Sequence, residues 1–420
     1  MWDTLCKYTS RVHSITQEFT VDSWFIEALG SIILSYPSSP ASLFPHLRKL
    51  RWHNCGSQYA AEFLRMAFVP SLSSLDIKIF SPSSTFLSVI SSLGASCPHL
   101  QDVTLALATY ETSKDKVSPF ILQPISQLQN LHTLSIWDLG NRGIGHIMQL
   151  PALRSLSLNL KGEPSIRDSQ SQLQLHDLEF FHLSADKLEN ALGFLDSLQA
   201  IRSKEIIIYS DFAPHSKVIL TKFLAILQQK CDNDHLEHFT LKFLSGNVQT
   251  HPDDFMPLQA CQNLTQLHIR HGCDTSISDK ELCQMVSAWP KLEALSIGGL
   301  SIGNTIITFH GLIDLLRLRP SLTSLSLAID ATKLDEIDIN HPGGGIVNKH
   351  LKVLVLGNSP IDCPKRVAFI LNELFPYLEQ VELDYWDSYT ITQKKTMVDQ
   401  WGSVNSLLRC YCYMERYAEA

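Results

Sequence analysis

Three side chains in the second half of the chain have the chemistry of a metal site. His268, His271 and Cys273 form an H-x-x-H-x-C pattern, and imidazole and thiolate groups are the usual ligands of zinc. A structural zinc site takes four protein ligands, and we identify no fourth ligand for these three. A metal-dependent enzyme built on His268, His271 and Cys273 is therefore one alternative that the sequence leaves open.

Two further segments contain residue types that are used in catalysis. Asp335, Glu336 and Asp338 are clustered carboxylates, but no partner base for general acid–base work is recognisable, so we expect a solvated acidic loop. The glycines at 343–345 lack the strand-to-helix context of a phosphate-binding loop, so we expect a flexible linker. The sequence predicts no enzymatic activity and no cofactor.

The elements that would position these residues come from a repeated apolar phrase. It consists of a leucine, two other residues, a leucine, one residue and a further leucine or isoleucine. Clean copies occupy Leu131–Ile136, Leu153–Leu158, Leu264–Ile269, Leu292–Ile297, Leu322–Leu327 and Leu351–Leu356. Looser copies begin at Leu47, Leu72, Leu100, Leu178, Leu236 and Leu378, and a degenerate copy begins at Ser203. The copies recur about every 22–33 residues, which is close to the period of leucine-rich repeats.

Each copy predicts a short strand and a return segment. The alternating apolar residues lie on one face of a strand, and one repeat cannot bury that face alone. We therefore expect an α/β leucine-rich-repeat solenoid of about thirteen repeats, with a curved parallel sheet on the concave side and helices outside. Helical spacing predicts helices over Tyr59–Phe68, Thr85–Leu93, Leu188–Leu198, Lys217–Gln229, Asp279–Ala288, Arg366–Phe375 and Thr392–Leu408. Full burial is predicted for Leu156, Leu267, Leu295, Leu325 and Leu354.

The repeat pattern divides the chain into three predicted parts. Residues 1–45 form a helical N-terminal cap with helices near 2–15 and 22–35, because an array needs a polar outer end. Residues 46–390 form the repeats, and residues 391–420 form a C-terminal cap and tail. Polar or glycine- and proline-rich segments predict loops at 161–174, 246–257 and 331–348.

Strand residues that alternate with the buried leucines define a candidate partner-binding surface. Their side chains should face the concave side, which repeat proteins use to bind partners. In the middle repeats these residues are aromatic or basic, and aromatic residues and arginine are the types that dominate binding energy at interfaces. The predicted partner-binding stripe consists of Trp137, His182, Tyr209, Lys242, His268 and Arg270. The alternative for each position is an ordinary solvated side chain.

Composition excludes several classes of partner. The net charge is −8 and no run of lysine or arginine occurs, so we expect no nucleic-acid partner. No apolar segment approaches the ~20 residues that cross a bilayer, so we expect no membrane partner. The first five residues lack the basic start and apolar stretch of a secretory signal, and the ten cysteines are scattered. We therefore predict reduced thiols and a cytoplasmic or nuclear location.

The N-terminal residues add a resemblance to a known family. Trp2, Tyr8 and Arg11-Val12 precede repeats that open with a Phe/Cys-Pro-x-Leu-x-x-Leu phrase, as at 44–50. These features resemble the fungal proteins in which an F-box is followed by leucine-rich repeats, over roughly residues 1–385. In that family a tryptophan, a tyrosine and an Arg-Val pair occur just after the F-box. Residues 1–45 lack the leucine-proline phrase that opens an F-box, so the chain resembles a member without its F-box.

The resemblance implies a non-enzymatic protein-recognition function. The chain would be the substrate-binding part of an F-box-type ubiquitin ligase subunit, with a protein substrate on the concave face. A Skp-type adaptor would bind only through an upstream F-box, so we expect residues 1–420 alone not to bind one. The alternative is a stand-alone leucine-rich-repeat scaffold or inhibitor with no ligase link.

Overall fold

A computed structural model describes most of the chain and shows an α/β protein. It describes residues 2–17, 43–53, 58–79, 83–107, 114–161, 173–246, 248–270, 273–298, 306–335, 337–338, 341–356, 359–383 and 391–419. The strands are β1 Ser14–Gln17, β2 Lys49–Trp52, β3 Ser74–Ile79, β4 Asp102–Leu107, β5 Thr133–Trp137, β6 Ser155–Asn159, β7 Leu173–Lys187, β8 Leu198–Phe212, β9 His238–Ser245, β10 Val248–Thr250, β11 Gln266–Arg270, β12 Cys273–Thr275, β13 Ala294–Gly298, β14 Ser324–Ser326 and β15 Val353–Val355.

Within the described residues, thirteen of these strands form one parallel sheet, and β10 and β12 form a separate parallel pair. The order of the thirteen strands in the sheet follows their order in the chain. The strands that follow Leu292 and Leu322 pair in parallel, as predicted, so that Leu295 lies opposite Leu325. All five leucines for which full burial was predicted have no exposed surface. The apolar phrase therefore supplies the buried face of the sheet.

The set of thirteen strands differs from the predicted set at both ends. The helix predicted near 2–15 includes Ser14 and Ile15, but Ser14–Gln17 forms β1 and pairs with β2. Only Trp2–Thr9 of the predicted helix 2–15 is helical; the predicted helix 22–35 lies outside the described residues. At the other end, the copy that begins at Leu378 forms a single bridge between Val355 and Glu382 rather than a strand. The two ends of the predicted strand pattern thus differ from the structure, while its central strands agree with it.

Most of the described helices follow a strand, as the repeat pattern predicts; the exceptions are the first helix, the last helix and the short second helix of a consecutive pair. The described helices are α1 Trp2–Thr9, α2 Gln58–Ala67, α3 Ser84–Ser91, α4 Leu93–Ser96, α5 Lys114–Ser126, α6 Gly140–Ile147, α7 Leu188–Asp196, α8 Lys217–Lys230, α9 Asp279–Ser287, α10 Phe309–Leu318, α11 Pro364–Leu374 and α12 Ile391–Glu419. The seven predicted return and closing helices are confirmed within a few residues, except that α12 continues beyond the predicted end at Leu408. Among the described helices, none has both the length and the apolar composition needed to cross a bilayer.

The chain divides into two compact units. Unit 1 contains Met1–Asp186 and Asp196–Ser203, and unit 2 contains Lys187–Leu195 and Lys204–Ala420. In unit 1, neighbouring helices pack against each other, as α3 does against α5. In unit 2, α9 packs against α10 and α11 packs against α12.

Two segments that were predicted to be irregular have defined structure. Within 246–257, the chain forms β10 and then a 3₁₀ helix, Pro252–Ala260, whose first turn is capped by the His251 side chain. The glycines at 343–345 form a turn rather than a flexible linker: the Gly344 N–H donates to His341 O at 2.9 Å. Gly344 and Gly345 have φ of 59° and 89°, and glycine adopts this left-handed conformation without steric cost.

An arginine connects two neighbouring helical segments of unit 2. Arg319 ends α10, and its guanidinium donates to Trp289 O at 2.7 Å, to Val286 O at 2.8 Å and to Ser287 O at 3.1 Å. These carbonyls lie at and just beyond the end of α9, where the regular helical donors run out. Val286 O and Trp289 O also accept from the backbone N–H groups of Trp289 and Leu292 at 3.0 and 3.2 Å. Burial lowers the pKa of Arg319 below its usual value, but the group stays charged at neutral pH and can satisfy several acceptors at once.

Candidate functional site

The candidate site lies on the open face of the sheet. We use this name for the strand side chains that alternate with the buried ones, which are mostly half-buried or exposed, as in β6, β9 and β11. The predicted partner-binding stripe falls on both units: Trp137 and His182 belong to unit 1, and Tyr209, Lys242, His268 and Arg270 belong to unit 2.

In unit 2 the register brings three predicted residues to one level of the sheet. Tyr209 on β8 pairs with Lys242 on β9, and Lys242 pairs with Arg270 on β11. Arg270 in turn pairs with Gly298 on β13. We call these four residues the cationic level. The apolar phrase predicts this alignment, and the pairing of successive strands in register produces it.

The two cations of this level contact different neighbours. The Nζ of Lys242 lies 5.9 Å from the ring centroid of Tyr209, within the range of a cation–π interaction. The Nε of Arg270 donates to the hydroxyl of Ser296 on β13 at 3.1 Å. Each cation thus interacts with an uncharged group on the side away from the other cation.

His268 lies beneath this level and is neutral. It pairs with Thr240 and Ser296 in the middle of the open face and is half-buried. Its Nδ1 atom is buried and has no hydrogen-bond partner within the described residues. The pKa of His268 is lowered to about 4, chiefly by burial and to a smaller extent by the nearby charges of Arg270 and His238. At neutral pH the positive charge of the site therefore comes from Lys242 and Arg270.

Charges one level further back are already paired within the protein. The Nδ1 of His238 lies 3.5 Å from a carboxylate oxygen of Glu205, and both residues are half-buried. Unit 1 has a similar arrangement, in which Asp76 accepts from Arg51 Nε at 2.9 Å and lies 3.2 Å from His53 Nε2. In contrast, neither Lys242 nor Arg270 forms an ion pair within the described part of the chain.

Leu244 adds an exposed apolar side chain to the open face, which the repeated phrase does not predict. It follows Lys242 by two residues on β9, so it lies on the same face, and 61% of it is exposed. Asp211 on β8 lies at the level of Leu244, between the paired residues Ser210–Phe243 and Phe212–Ser245. The apolar phrase ends at Leu241, so it carries no signal that β9 continues to Ser245.

In unit 1, His182 is held between two serine hydroxyls. Its Nδ1 lies 2.9 Å from Ser157 Oγ on the neighbouring strand, and its Nε2 lies 3.3 Å from Ser184 Oγ. Burial lowers the pKa of His182 below its usual value. A neutral imidazole has one donor and one acceptor nitrogen, and a hydroxyl can fill either role. His182 therefore forms a fixed polar contact on the open face of unit 1.

Trp137 does not lie on an accessible surface, so its assignment to the stripe is wrong. Only 2% of it is exposed, and its indole N–H points to Ser118 Oγ on α5 at 3.5 Å. Strand alternation places Trp137 with Ser135 on the open face, but the large indole at the end of β5 packs against neighbouring groups instead. Its role is therefore in packing.

The alternative metal site cannot be assembled from described side chains. His268 is described, but His271 and the side chain of Cys273 lie outside the described residues, as does Glu336 of the acidic cluster. Asp335 and Asp338 are exposed. No group of three or more potential metal ligands occurs among the side chains that the structure describes.

Comparisons with known proteins leave the family open. No protein-family model matches the chain, and a search of curated proteins gives no match either.

Proposed function

We propose that this chain is a leucine-rich-repeat solenoid that binds another protein on the open, concave face of its sheet and catalyses no reaction. In line with its resemblance to F-box leucine-rich-repeat proteins, the bound protein would be a substrate of an F-box-type ubiquitin ligase. Such a ligase works in the cytoplasm or nucleus, where the free thiols of residues 6, 97, 231, 261, 283, 363, 410 and 412 stay reduced.

The observation that carries this proposal is the agreement between the repeated phrase and the strand register. Leu267 pairs with Leu295, and Leu325 pairs with both Leu295 and Leu354. Equivalent residues of successive phrases therefore share one level of a parallel sheet whose strand order follows the chain. This is the relation between sequence and space that stacked repeats produce.

The side chains on the open face favour binding over catalysis. In unit 2 that face combines an exposed leucine, an aromatic ring and two cations without ion-pair partners among the described residues. Tyrosine and arginine are enriched among the residues that dominate binding energy at protein interfaces. A nucleophile activated by a base and oriented by a third group would indicate catalysis. His182 hydrogen-bonds to Ser157 Oγ and Ser184 Oγ, and we propose that these contacts hold its ring in place on the binding surface.

Photo-crosslinking in cells of the source organism tests the binding proposal. A benzophenone side chain would replace Asn159 on the open face of unit 1, Leu244 on the open face of unit 2, or Lys222, which is exposed on α8. We expect a specific protein adduct from an open-face position and none of the same mass from Lys222. Adducts from Lys222 alone would place the binding surface on the helices and contradict the proposal.

Affinity purification then separates the two protein-binding alternatives. Recovery of a Skp-type adaptor and a cullin together with the crosslinked protein would support the ligase function. Recovery of the crosslinked protein without either one would support a stand-alone scaffold or inhibitor. Modification of the crosslinked protein by ubiquitin should fall when the gene is deleted if the ligase function is right.

A further inference from the structure

The pairing of Lys242 with Arg270 places two like charges at one level of adjacent strands. Like charges directly opposite each other destabilise a sheet. The open face of the same strands carries Thr240 and His268 at the preceding level, and both are uncharged at neutral pH. The repulsion between the two cations disfavours the sheet, whereas an anion bound between them would be attracted to both.

No carboxylate of the described chain occupies this level. Its four members are Tyr209, Lys242, Arg270 and Gly298. Glu205 lies two levels back and contacts His238 at 3.5 Å. Asp211 lies two residues beyond Tyr209 on β8, so it belongs to the next level of the open face. Of the four strands that form the cationic level, β8 is the furthest from Arg270. An anion that approaches between β9 and β13 therefore meets the two cations before it meets either carboxylate.

Among the described residues, none fills the space beside Gly298 at the edge of the cationic level. A Cβ atom placed on Gly298, its partner in the register, would have no described heavy atom within 4 Å. Only the Nε of Arg270 has a hydrogen-bond partner within the described residues, which is Ser296 Oγ. The terminal guanidinium nitrogens keep their N–H groups for another acceptor, and a carboxylate accepts two such bonds at once.

The apolar part of the surface is continuous with the charged part. Leu244 is exposed and lies two residues beyond Lys242 on the same face of β9. Side chains two residues apart on a strand lie on one face about 6–7 Å apart. A ligand that bridges Lys242, Arg270 and Leu244 thus needs an anionic group and an apolar group at about that separation.

We propose that the cationic level and Leu244 bind a peptide segment of a partner protein that has an aspartate or glutamate close to an apolar residue. The carboxylate lies between Lys242 and Arg270, and the apolar side chain packs on Leu244. This inference rests on the proposed function and specifies the chemistry of the partner. A carboxylate peptide fits better than a nucleic acid, because nucleic-acid binding depends on many phosphate contacts and this chain has a net charge of −8.

Selection from a random peptide library displayed on phage tests the proposal with the full chain. We expect the selected peptides to contain aspartate or glutamate within three residues of a large apolar residue. Selection on the K242E/R270E variant should lose these peptides. The matched control is K217E/K222E, which changes the net charge equally at two exposed positions on α8 and should select the same peptides as the unaltered chain.

Charge exchange separates a binding role from a structural one. Fluorescence anisotropy with the best selected peptide should show at least tenfold weaker binding to K242E/R270E and less than twofold change for K217E/K222E. A peptide with its acidic residue replaced by lysine should regain affinity for K242E/R270E, which a merely unfolded variant cannot produce. Leu244→Ser should weaken binding at least threefold, because Leu244 is exposed and its replacement leaves the core intact.

Several results would overturn the inference. These are selected peptides without acidic residues, equal affinity of the two charge variants, no selected peptide at all, or tighter binding of a single-stranded RNA of similar length. A phosphoserine version that binds while the carboxylate version does not would also overturn it. None of these results alone removes the proposed function, which fails only when crosslinking from Asn159 and Leu244 gives no protein adduct.

Discussion

Lys242 and Arg270 lie opposite each other on adjacent parallel strands, yet their charged groups contact different neighbours. Lys242 Nζ lies 5.9 Å from the centre of the Tyr209 ring, and Arg270 Nε donates to Ser296 Oγ at 3.1 Å. This divergence reduces the repulsion between the cations. It also leaves the space between them available for an anion.

Replacing Lys242 with methionine should therefore not destabilise the protein. Methionine keeps a flexible apolar contact with Tyr209 and removes the like charge opposite Arg270. We expect the free energy of unfolding to rise by about 0.2–1 kcal/mol, measured by urea denaturation at low salt. Lys222→Met on the exposed surface of α8 is the control and should change stability by less than about 0.5 kcal/mol. A clear loss of stability in Lys242→Met would show that the lysine serves the fold.

His268 should make stability depend on pH in the acidic range. The pKa of His268 falls from its usual 6.5 to about 4 in the folded state, so the unfolded chain binds its proton at higher pH than the folded chain. Between these two values the unfolded state holds more protons, and stability must fall as the pH drops from about 6.5 to about 4. His182 acts in the same direction, since burial also lowers its pKa.

Urea denaturation of His268→Gln across this range measures the contribution of His268. Glutamine cannot take up a proton, so the variant should lose about 1–3 kcal/mol less stability than the unaltered chain between pH 6.5 and pH 4. The exposed His215 provides the control, and His215→Gln should keep the original slope. Equal slopes for His268→Gln and the unaltered chain would mean that folding does not lower the pKa of His268.

Trp137→Ala should damage the fold rather than a binding surface. The indole is buried and points to Ser118 on α5, and removal of a buried tryptophan costs about 3–5 kcal/mol. Calorimetry and urea denaturation should show this loss. Trp137→Phe keeps most of the buried area and should cost clearly less. A Trp137→Ala variant with unchanged stability would return this residue to the open face.

The sequence predicts the repeating part of the fold because its signal is periodic. A copy of the apolar phrase that lies between two other copies must bury the same strand face as they do. Leu156 and Leu325 were therefore predicted to be fully buried, and both have no exposed surface. The ends of the array lack this constraint. Ser14–Gln17 has one apolar residue in four, so no strand was predicted there and the predicted helix extended into its first two residues. The strand predicted after Leu378 is only a single bridge.

The candidate site was predicted only in part, for reasons of side-chain size and strand length. Alternation fixes which face of the backbone a residue occupies, and Tyr209, Lys242 and Arg270 share one level as a result. Alternation does not determine where a long side chain packs, and so the burial of Trp137 could not be foreseen. It also does not determine where a strand ends, and Leu244 was missed for this reason.

Arg319 should contribute to the stability of unit 2 through its contacts with the end of α9. Its guanidinium donates to the carbonyls of Val286, Ser287 and Trp289, and lysine cannot reproduce this planar set of donors. Hydrogen bonds to charged groups contribute about 1.5–3 kcal/mol each when measured by deletion, and lysine should keep part of them. We therefore expect Arg319→Lys to lower the free energy of unfolding by about 1–3 kcal/mol.

The neighbouring arginine on the same helix provides a matched control for this change. Arg317 is exposed and pairs with Asp314 one turn earlier on α10, a contact of the kind that contributes little to stability. Arg317→Lys should change the free energy of unfolding by less than about 0.5 kcal/mol. Hydrogen exchange should locate the effect of Arg319→Lys, with faster exchange of the amides at the end of α9 and little change in unit 1. Equal effects of the two substitutions would mean that the carbonyls at the end of α9 are satisfied by water and that Arg319 does not hold this helix in place.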